Sequence, residues 1–531
     1  MTSDRPHDRT IKPGAGLPSG FDAAVAVALA TVACLVVGVT IQVLGRPMND
    51  PDSAASVLFW RHLVSGAPLE TFVSTTPKPL LTVLYGIAFD ITGDWRSLAV
   101  LTLGAFGVAI AAGTLLARRL AGWGAAAFLA TALAVSPAIA IEVAHANSLV
   151  WAIAGWLVAG AALTMRPARP WIAGLALLVA LSTRTETGLL LGPASLWIVG
   201  LAVRGARAEA RRLAPILVGW LAVPVAALHD LALFGDPTWW MRVPAGYTAL
   251  TGRYEPPVAV LEATIERLWT MPFAVVLAIV GVSVLARRRA WPALGAVLAL
   301  AVGVVAFLLA VSWRRIFVTT RYLEQADVGL ILAGAVAIGV GVAYILARAP
   351  RGSGGVPAQA AALALAVLAG LAVNPGLAPL DTGVSSELAR LRAADRGAEL
   401  ALPTLREVLI EAQTLGPVPT PTDGPAGLRI VDTDTAAILV PRALINRLLV
   451  DLGTTQETWL GDSFLAFRTR DPLAVVRPGQ VVYHDRAGDL GSERFAPFEI
   501  DIAVVVGKVR LEPRFVSPDE GVWIVGIGTG P

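Results

Sequence analysis

The chain has 531 residues, of which 55% are hydrophobic and only 15% are charged, and its mean hydropathy is +0.67. Soluble domains carry about 25% charged residues, so this composition excludes a water-soluble enzyme, a disordered chain and a coiled coil. The single cysteine excludes an intramolecular disulfide and a cysteine-ligated metal cluster, and the formal net charge of +3 does not indicate a nucleic-acid partner.

The charge changes sign along the chain at about residue 373. Residues 1–373 carry 27 Lys or Arg and 18 Asp or Glu, a net charge of +9, whereas residues 374–531 carry 15 and 21, a net charge of −6. We therefore predict three parts: a cytoplasmic tail over 1–21, a transmembrane domain over 22–373 and a soluble extracytoplasmic domain over 374–531.

Eleven apolar segments are predicted to cross the membrane, because a helix needs about 20 apolar residues to span about 30 Å of hydrocarbon. They are 22–45, 97–116, 122–141, 147–164, 171–183, 187–203, 213–233, 270–286, 290–312, 326–346 and 357–373. A further apolar stretch, 80–92, is short and contains Asp90, so we interpret it as a juxtamembrane or re-entrant helix.

Lys and Arg in the short loops predict that the N-terminus lies inside. With alternating spans, the inner segments carry 16 basic and three acidic residues, whereas the outer loops before residue 373 carry 11 basic and 14 acidic ones. An odd number of spans then places 374–531 outside, which predicts a multi-pass protein of the plasma membrane. The long loops 46–96 and 234–269 are also outer, and loops of such length are usually functional.

Two carboxylates open the first outer loop, before a predicted amphipathic helix over 53–65 that lies on the membrane surface. Asp52 stands immediately before this helix, where Asp is a preferred N-cap. A carboxylate at the mouth of a membrane cavity is also suited to act as a general base. The sequence leaves both roles open, and Asp50 is the second candidate base.

Lys78 is one of three lysines, against 39 arginines, and it stands between Pro77 and Pro79. The two prolines keep the chain extended around it. An ammonium group at this position would bind a lipid phosphate as a point charge. The alternative is an interfacial anchor whose side chain reaches out to the headgroups.

Ionisable residues also stand at the outer ends of later spans. Arg184 and Glu186 follow a short apolar run and are predicted to lie below the outer surface, where such residues usually face a cavity. The alternative is a buried pair that only ties helices together. Glu142, His145 and Asn147 lie at the same predicted end and are candidate substrate-binding residues, although a hydrogen-bonded interfacial histidine needs no ligand.

Two more outer segments combine aromatic and basic residues. Trp239 and Trp240 fit an interfacial belt, and they are also candidates for stacking on a sugar. Three arginines break the positive-inside trend and suggest an anionic partner such as a lipid phosphate. These arginines, with an adjacent candidate substrate-binding tyrosine, are Arg314, Arg315, Arg321 and Tyr322.

The segment 374–531 is predicted to form a small α+β domain. Its helical stretches are Glu387 to Gln413 and 441–452, and its short alternating runs are 428–432, 436–440, 464–467, 480–483, 500–506 and 522–527. Asp432-Thr-Asp434 matches the DxD motif of soluble nucleotide-sugar transferases, but we interpret these two acids as solvated turn residues.

Six short elements follow one another within residues 22–325. They are Asp52 to Gly66, Lys78-Pro79-Leu80-Leu81, Gly93-Asp94-Trp95-Arg96-Ser97-Leu98, Leu116-Ala-Arg-Arg-Leu120, Val135-Ser136-Pro137 and Thr183-Arg184-Thr-Glu186-Thr-Gly188. Their order and spacing resemble the GT-C class of polytopic glycosyltransferases, near the dolichyl-phosphate-mannose–protein mannosyltransferases and aminoarabinose transferases. Ser53 replaces the Glu of the family's Asp-Glu pair, and His145-Ala-Asn147 replaces its Arg-Pro-Asp.

The resemblance implies an outward-facing glycosyltransferase with a polyprenyl-phosphate-sugar donor, since nucleotide sugars are cytosolic. It implies one inverting displacement in which Asp52 or Asp50 takes the proton of an acceptor hydroxyl. The expected acceptor is a cell-envelope glycan, lipid or protein. No cofactor is expected, and use of a divalent metal is left open. The candidate donor-phosphate-binding residues are Lys78, Arg184, Arg314, Arg315 and Arg321.

Two other functions compete with this one. A transporter or flippase of lipid-linked sugars would bind the same phosphate, but it would need inverted repeats and charges at the membrane midplane. A non-catalytic envelope-assembly protein would keep the fold, and the departures at Ser53 and Asn147 leave that alternative open. The Arg- and Ala-rich, Lys-poor composition suggests an actinobacterial source and a mannose- or arabinose-like sugar.

Overall fold

The structure is a computed structural model. It describes residues 20–44, 51–69, 76–251, 254–316, 320–348, 355–420, 422–423, 429–430, 435–453, 457–462, 476–485, 504–506, 509–517, 519 and 521–528. Asp50, Asp432 and Asp434 lie outside the described residues, as does the side chain of Arg321.

Most of the described chain up to residue 372 is helical. The α-helices are α1 (Gly20–Leu44), α2 (Pro51–Ser65), α3 (Pro79–Thr92), α4 (Arg96–Ala121), α5 (Trp123–Ala134), α6 (Pro137–Ala144), α7 (Ser148–Leu163), α8 (Pro170–Thr183), α9 (Gly188–Val203), α10 (Arg207–Leu213), α11 (Ala222–Phe234), α12 (Trp239–Thr251), α13 (Pro257–Thr270), α14 (Pro272–Arg287), α15 (Trp291–Leu298), α16 (Val304–Trp313), α17 (Glu324–Arg348) and α18 (Gly355–Ala372). Short 3₁₀ segments cover Thr185–Thr187, Ala214–Leu221 and Thr320–Leu323, and a π-helical turn covers Ala299–Gly303.

Helices occupy all eleven predicted spans. Among the described residues, six helical runs are long and apolar enough to cross a membrane. Two bent pairs raise this number to eight: α5 with α6, bent by 55°, and α13 with α14, bent by 91°. Helices α7, α8 and α18 are apolar but supply shorter stretches. The chain is therefore a multi-pass helical membrane protein, while the count of eleven spans and their orientation stay predictions.

Small residues let neighbouring helices approach closely. A Cβ atom at Gly281 of α14 would lie 1.9 Å from the carbonyl oxygen of Ala333 of α17, so only glycine fits there. Gly155 of α7 faces the Ala176 carbonyl of α8 in the same way, at 2.5 Å. Lipid provides no hydrophobic driving force between helices, so close van der Waals packing of this kind stabilises the bundle.

Two of the basic segments predicted to be inner, at the ends of α4 and α14, lie together at one end of the bundle, here called the basic end. Arg118, at the end of α4, pairs with Asp22 in the first turn of α1. Arg288 donates a hydrogen bond of 3.3 Å to the carbonyl of Leu120, which brings a third loop to the same place. The turn between α6 and α7 and the end of α8 lie at the opposite end.

The carboxy-terminal segment combines two helices with a mixed sheet. The helices are α19 (Thr382–Leu415) and α20 (Arg442–Leu452), and the strands are β1 (Thr422–Asp423), β2 (Arg429–Ile430), β3 (Ile438–Val440), β4 (Leu460–Asp462), β5 (Val481–Asp485), β6 (Val504–Val506), β7 (Val509–Ser517) and β8 (Val522–Gly528). The larger sheet has the order β4-β3-β5-β8-β7-β6, in which β3 pairs parallel with β4 and β5 and the other neighbours are antiparallel.

The predicted helix over 53–65 is confirmed as α2, and its position on the membrane surface stays a prediction. Helix α2 packs between α3 and α20, and Val57 is fully buried whereas Val64 is exposed. Arg61 of α2 donates a hydrogen bond of 2.7 Å to the carbonyl of Val450 of α20. The carboxy-terminal segment therefore contacts α2 through Arg61.

A buried ionic network completes this contact. The indole Nε1 of Trp95 donates to Asp451 Oδ1 at 2.9 Å, and Arg447 binds both Asp395 and Asp451. Burial lowers the pKa of Arg447, but the two carboxylates outweigh it and the net pKa is raised. Removing one partner of a buried ion pair is strongly destabilising, because it leaves a buried charge without compensation. The network therefore fixes α19 and α20 to the loop that precedes α4.

Gly86 of α3 provides a test of the α2–α3 packing. A Cβ atom there would lie 1.9 Å from Cγ of Trp60, whose indole donates to Asp90 Oδ2 at 2.6 Å. We expect Gly86→Ala to lower the free energy of unfolding by about 1–3 kcal/mol, the usual cost of overpacking. Thermal unfolding in detergent measures this. Gly104→Ala in α4 is the control, since no atom lies within 4 Å of its Cβ position; equal melting temperatures for the two variants would contradict the packing.

Candidate functional site

A cleft of about 170 Å³ opens at the end of the bundle opposite the basic end. Its walls come from the start of α2, the segment before α3, the end of α8 with the following 3₁₀ turn, and α11 and α12. The lining residues are Asp52, Thr76, Pro77, Lys78, Pro79, Leu181, Ser182, Thr183, Arg184, Thr185, Glu186, Ala226, Trp240, Val243, Pro244 and Tyr322.

One side of the cleft holds an ion pair. Lys78 is the residue before α3, and Pro79 begins the helix. The Nζ of Lys78 donates to Asp52 Oδ2 at 3.0 Å. The lysine side chain is 11% exposed and the carboxylate 44% exposed, so the carboxylate faces the open space. The arrangement presents a solvent-accessible carboxylate beside a largely buried ammonium group.

The cleft lining also includes Arg184, which follows α8 directly. Its Nη2 donates to Asn147 Oδ1 at 3.1 Å, its Nη1 lies 3.7 Å from Glu186 Oε1, and its guanidinium carbon lies 5.0 Å from the ring centre of Tyr322. These three contacts hold the plane of the guanidinium in one orientation. Arginine held in this way suits a phosphate, because its fork of donors matches two phosphate oxygens.

Helix α12 forms a third wall and is held by a buried acid that the sequence reasoning missed. The backbone N–H of Trp240 donates to Asp230 Oδ2 at 2.7 Å, and Asp230 is fully buried. His229 lies 3.2 Å from Asp230 Oδ1 and 3.2 Å from the hydroxyl of Thr82 in α3. A signal for Asp230 was present, since an acid inside an apolar segment needs a partner.

The turn over 145–147 lies directly behind the cleft. Ser53 Oγ donates to the carbonyl of His145 at 3.0 Å, and the hydroxyl of Tyr85 donates to the carbonyl of Ala146 at 2.8 Å. Asn147 caps α7 by accepting from the Leu149 N–H at 3.0 Å, with the same oxygen that binds Arg184. His145 and Asn147 therefore contact the site from behind and do not line the cleft.

His145 also contacts the carboxy-terminal segment. Its Nε2 lies 3.1 Å from Glu387 Oε1 of α19, and Arg390 donates to both oxygens of the same carboxylate at 2.7 and 2.8 Å. Hydrogen bonds from Arg390 and then from His145 hold the pKa of Glu387 well below its usual range.

Several predicted site residues do not reach the cleft. Glu142 is buried in α6, and Trp239 stacks on Phe234 with ring centres 4.6 Å apart. Arg314 and Arg315 are exposed beyond the end of α16 and are not among the cleft residues. Nothing is described for Asp50 or for the side chain of Arg321. Within the described ranges, no three His, Cys, Asp or Glu side chains form a group that could hold a metal ion.

The depressed pKa of Glu387 predicts a pH dependence. A carboxylate with a lowered folded-state pKa contributes stability above its ordinary pKa, and this contribution is lost as the pH falls towards the folded value. We expect Glu387→Gln to lower the melting temperature most above about pH 5 and progressively less at lower pH, because the ordinary pKa is about 4.3. Thermal unfolding between pH 3 and pH 8 measures the difference. A gap that widens on acidification would contradict the assignment.

Comparison with known proteins gives structural relatives only. No protein-family model matches the sequence, and no curated protein matches it. ArnT from Cupriavidus metallidurans, solved bound to undecaprenyl phosphate, has a TM-score of 0.52 at 15% identity, over 95% of this chain and 98% of that chain. An Archaeoglobus fulgidus oligosaccharyltransferase, tethered to an acceptor peptide, has a TM-score of 0.53 at 14% identity, over 87% and 69%.

A second archaeal structure, AglB from Archaeoglobus fulgidus in complex with an inhibitory peptide and a dolichol-phosphate, has a TM-score of 0.50 at 16% identity. These relatives are membrane glycosyltransferases of the GT-C fold. The predicted resemblance is therefore confirmed at the level of the fold, and at this identity the likeness shows the fold alone.

Proposed function

We propose that this chain is a membrane glycosyltransferase that moves a sugar from a polyprenyl-phosphate donor to an acceptor hydroxyl at the cleft. The observation that carries the proposal is the grouping of Asp52, Lys78 and Arg184 around one cavity at one end of a GT-C-fold bundle. A carboxylate and two cations are the groups that transfer from a phosphate donor requires.

The proposed reaction is a single inverting displacement. Asp52 accepts the proton of the acceptor hydroxyl while the oxygen attacks C1 of the sugar. The bond from C1 to the phosphate oxygen breaks, and polyprenyl phosphate leaves with the bonding electrons. Arg184, already held by Asn147 and Glu186, neutralises the charge that develops on the phosphate without reorganising.

Lys78 is assigned to both halves of this reaction. Its Nζ donates to Asp52 Oδ2 at 3.0 Å, which holds the carboxylate in place. The ammonium group has three N–H donors. It can therefore donate to the Asp52 carboxylate and to a donor phosphate in the cleft at the same time. The pair therefore couples the arrival of donor to the positioning of the base.

The donor class is supported by the structural relatives, which were solved with undecaprenyl phosphate and with a dolichol-phosphate. The sidedness follows from the charge asymmetry of the loops: the cleft lies away from the basic end and faces outward. The sugar is assigned as mannose- or arabinose-like. The acceptor class is a glycan, lipid or protein of the cell envelope.

Two segments depart from the family pattern, at Ser53 and at His145-Ala-Asn147, and they are in contact. Ser53, in place of Glu, donates to the backbone of His145, in place of Arg. The groups assigned to chemistry, Asp52, Lys78 and Arg184, are unchanged.

Reconstitution tests the proposal. Proteoliposomes are supplied with radiolabelled polyprenyl-phosphate mannose or arabinose and a cell-envelope acceptor fraction, with protein-free liposomes as the control. We expect label on the acceptor and one polyprenyl phosphate released for each sugar transferred. Label that crosses the bilayer but stays on the lipid would identify a flippase. If no donor gives labelled acceptor or label that crosses the bilayer, the result would favour a non-catalytic envelope-assembly protein.

A further inference from the structure

The turn between α6 and α7 is strained and buried. Ala146 has a φ of +52°, a conformation that a residue with a Cβ rarely adopts, and its side chain is buried. Such a conformation costs about 1–3 kcal/mol and persists only where its surroundings determine it. The contacts around the turn are therefore the reason for its shape.

Two of these contacts lead to the proposed catalytic groups. The carbonyl of His145 accepts from Ser53, the residue directly after Asp52 in the first turn of α2. The side chain of Asn147 accepts from Arg184. A displacement of the turn would therefore move both the proposed base and the proposed phosphate-binding guanidinium.

A third contact comes from the carboxy-terminal segment. Glu387 Oε1 of α19 accepts a hydrogen bond from His145 Nε2 at 3.1 Å, and Arg390 fixes the carboxylate with two hydrogen bonds. The other ring nitrogen, Nδ1, is buried and has no hydrogen-bond partner among the described residues. Glu387 is thus the one polar group described that orients the imidazole ring.

We infer that Glu387 is a positioning residue for the transfer reaction, acting through His145 to hold the 145–147 turn against Ser53 and Arg184. The inference rests on the proposed function and extends it to a residue that touches neither donor nor acceptor. It gives α19 a role in catalysis: the docking of the carboxy-terminal segment sets the distance between the base and the phosphate-binding group.

Hydrogen exchange of the full chain in detergent tests the coupling without any donor. We expect Glu387→Ala to raise the exchange rate about fivefold in peptides covering 51–58 and 145–149, because local opening is governed by local contacts. Glu407→Ala is the matched control, an exposed acid on the same helix, and is expected to leave both peptides unchanged. Equal exchange in the two variants would overturn the inference, whatever the sugar.

The rate of transfer tests the consequence. Rates are divided by the number of undecaprenyl-phosphate-binding sites, so that loss of folded protein does not imitate loss of positioning. We expect Glu387→Ala to lower kcat about tenfold with the donor KM within about twofold, since small misplacements act on the chemical step. Glu387→Gln keeps an acceptor oxygen for His145 and is expected to restore kcat to within about threefold of wild type.

Two results separate this inference from the proposed function. A wild-type protein that transfers no sugar refutes the proposed function, while the exchange experiment still decides whether Glu387 holds the turn. A wild-type protein that transfers sugar, with Glu387→Ala equal to Glu407→Ala in kcat per site, refutes the positioning role alone.

Discussion

Replacing Asp52 by asparagine is expected to lower the rate of sugar transfer by about 10²–10⁴-fold, the range that general-base catalysis supplies. Asparagine has the shape of aspartate but does not accept a proton. The amide oxygen still accepts a hydrogen bond from Lys78, so the cleft keeps its geometry. Binding of undecaprenyl phosphate is therefore expected to stay within about threefold of wild type. The initial rate of acceptor labelling and an equilibrium binding measurement check the two expectations.

Two controls make this experiment decisive. Asp94→Asn changes an exposed carboxylate at the start of α4 whose oxygen accepts from the Arg96 N–H, a contact that asparagine retains. It is expected to leave transfer unchanged. Asp50→Asn tests the second candidate base that the sequence leaves open. Full activity in Asp52→Asn together with loss of activity in Asp50→Asn would identify Asp50 as the general base. Full activity in both variants would show that neither carboxylate is the general base.

Replacing Arg184 by alanine is expected to lower kcat/KM for the donor by about 10²–10³-fold, as the removal of one preorganised charge-stabilising donor does. Donor binding weakens because the phosphate already carries charge in the ground state, and kcat falls because more charge develops on leaving. Arg184→Lys keeps the charge but loses the fork of donors that Asn147 and Glu186 orient, so it is expected to recover only part of the rate.

Arg314→Ala is the informative comparison for this second result. The sequence places Arg314 among the phosphate-binding candidates, but in the structure its side chain is exposed and lies outside the cleft lining. A change of less than about threefold in kcat/KM is expected. A larger loss of kcat/KM in Arg314→Ala than in Arg184→Ala would indicate that the phosphate binds at the end of α16. That result would contradict the assignment of the phosphate to the cleft.

The helices were predictable from the sequence because apolar runs in a charge-poor chain have few alternatives. The number of helices that cross the membrane was not predictable from the sequence. Helices α7 and α8 have only 16 and 14 residues, and α5 with α6 is bent by 55°, so length alone does not decide what crosses the bilayer. Strand β7 was missed because Pro513 interrupts its alternating pattern at a bulge.

The site residues divide in the same way. Asp52, Lys78 and Arg184 stand out in the sequence because charges are scarce and each lies next to an apolar segment. Glu387 does not stand out, since its partner His145 is 242 residues away and α19 contains many other acids. The contact between α2 and α20 is likewise not predictable, because the two helices are far apart in the sequence and no local pattern relates them.

The most direct test of the central claim is an experimental structure of the protein with undecaprenyl phosphate. We predict the phosphate in the cleft, within hydrogen-bond distance, about 2.7–3.2 Å, of the Arg184 guanidinium and the Lys78 ammonium. The Asp52 carboxylate should stand on the side of the cleft away from the prenyl chain. A phosphate bound at Arg314 and Arg315, with the cleft between Asp52 and Arg184 unoccupied, would contradict the account.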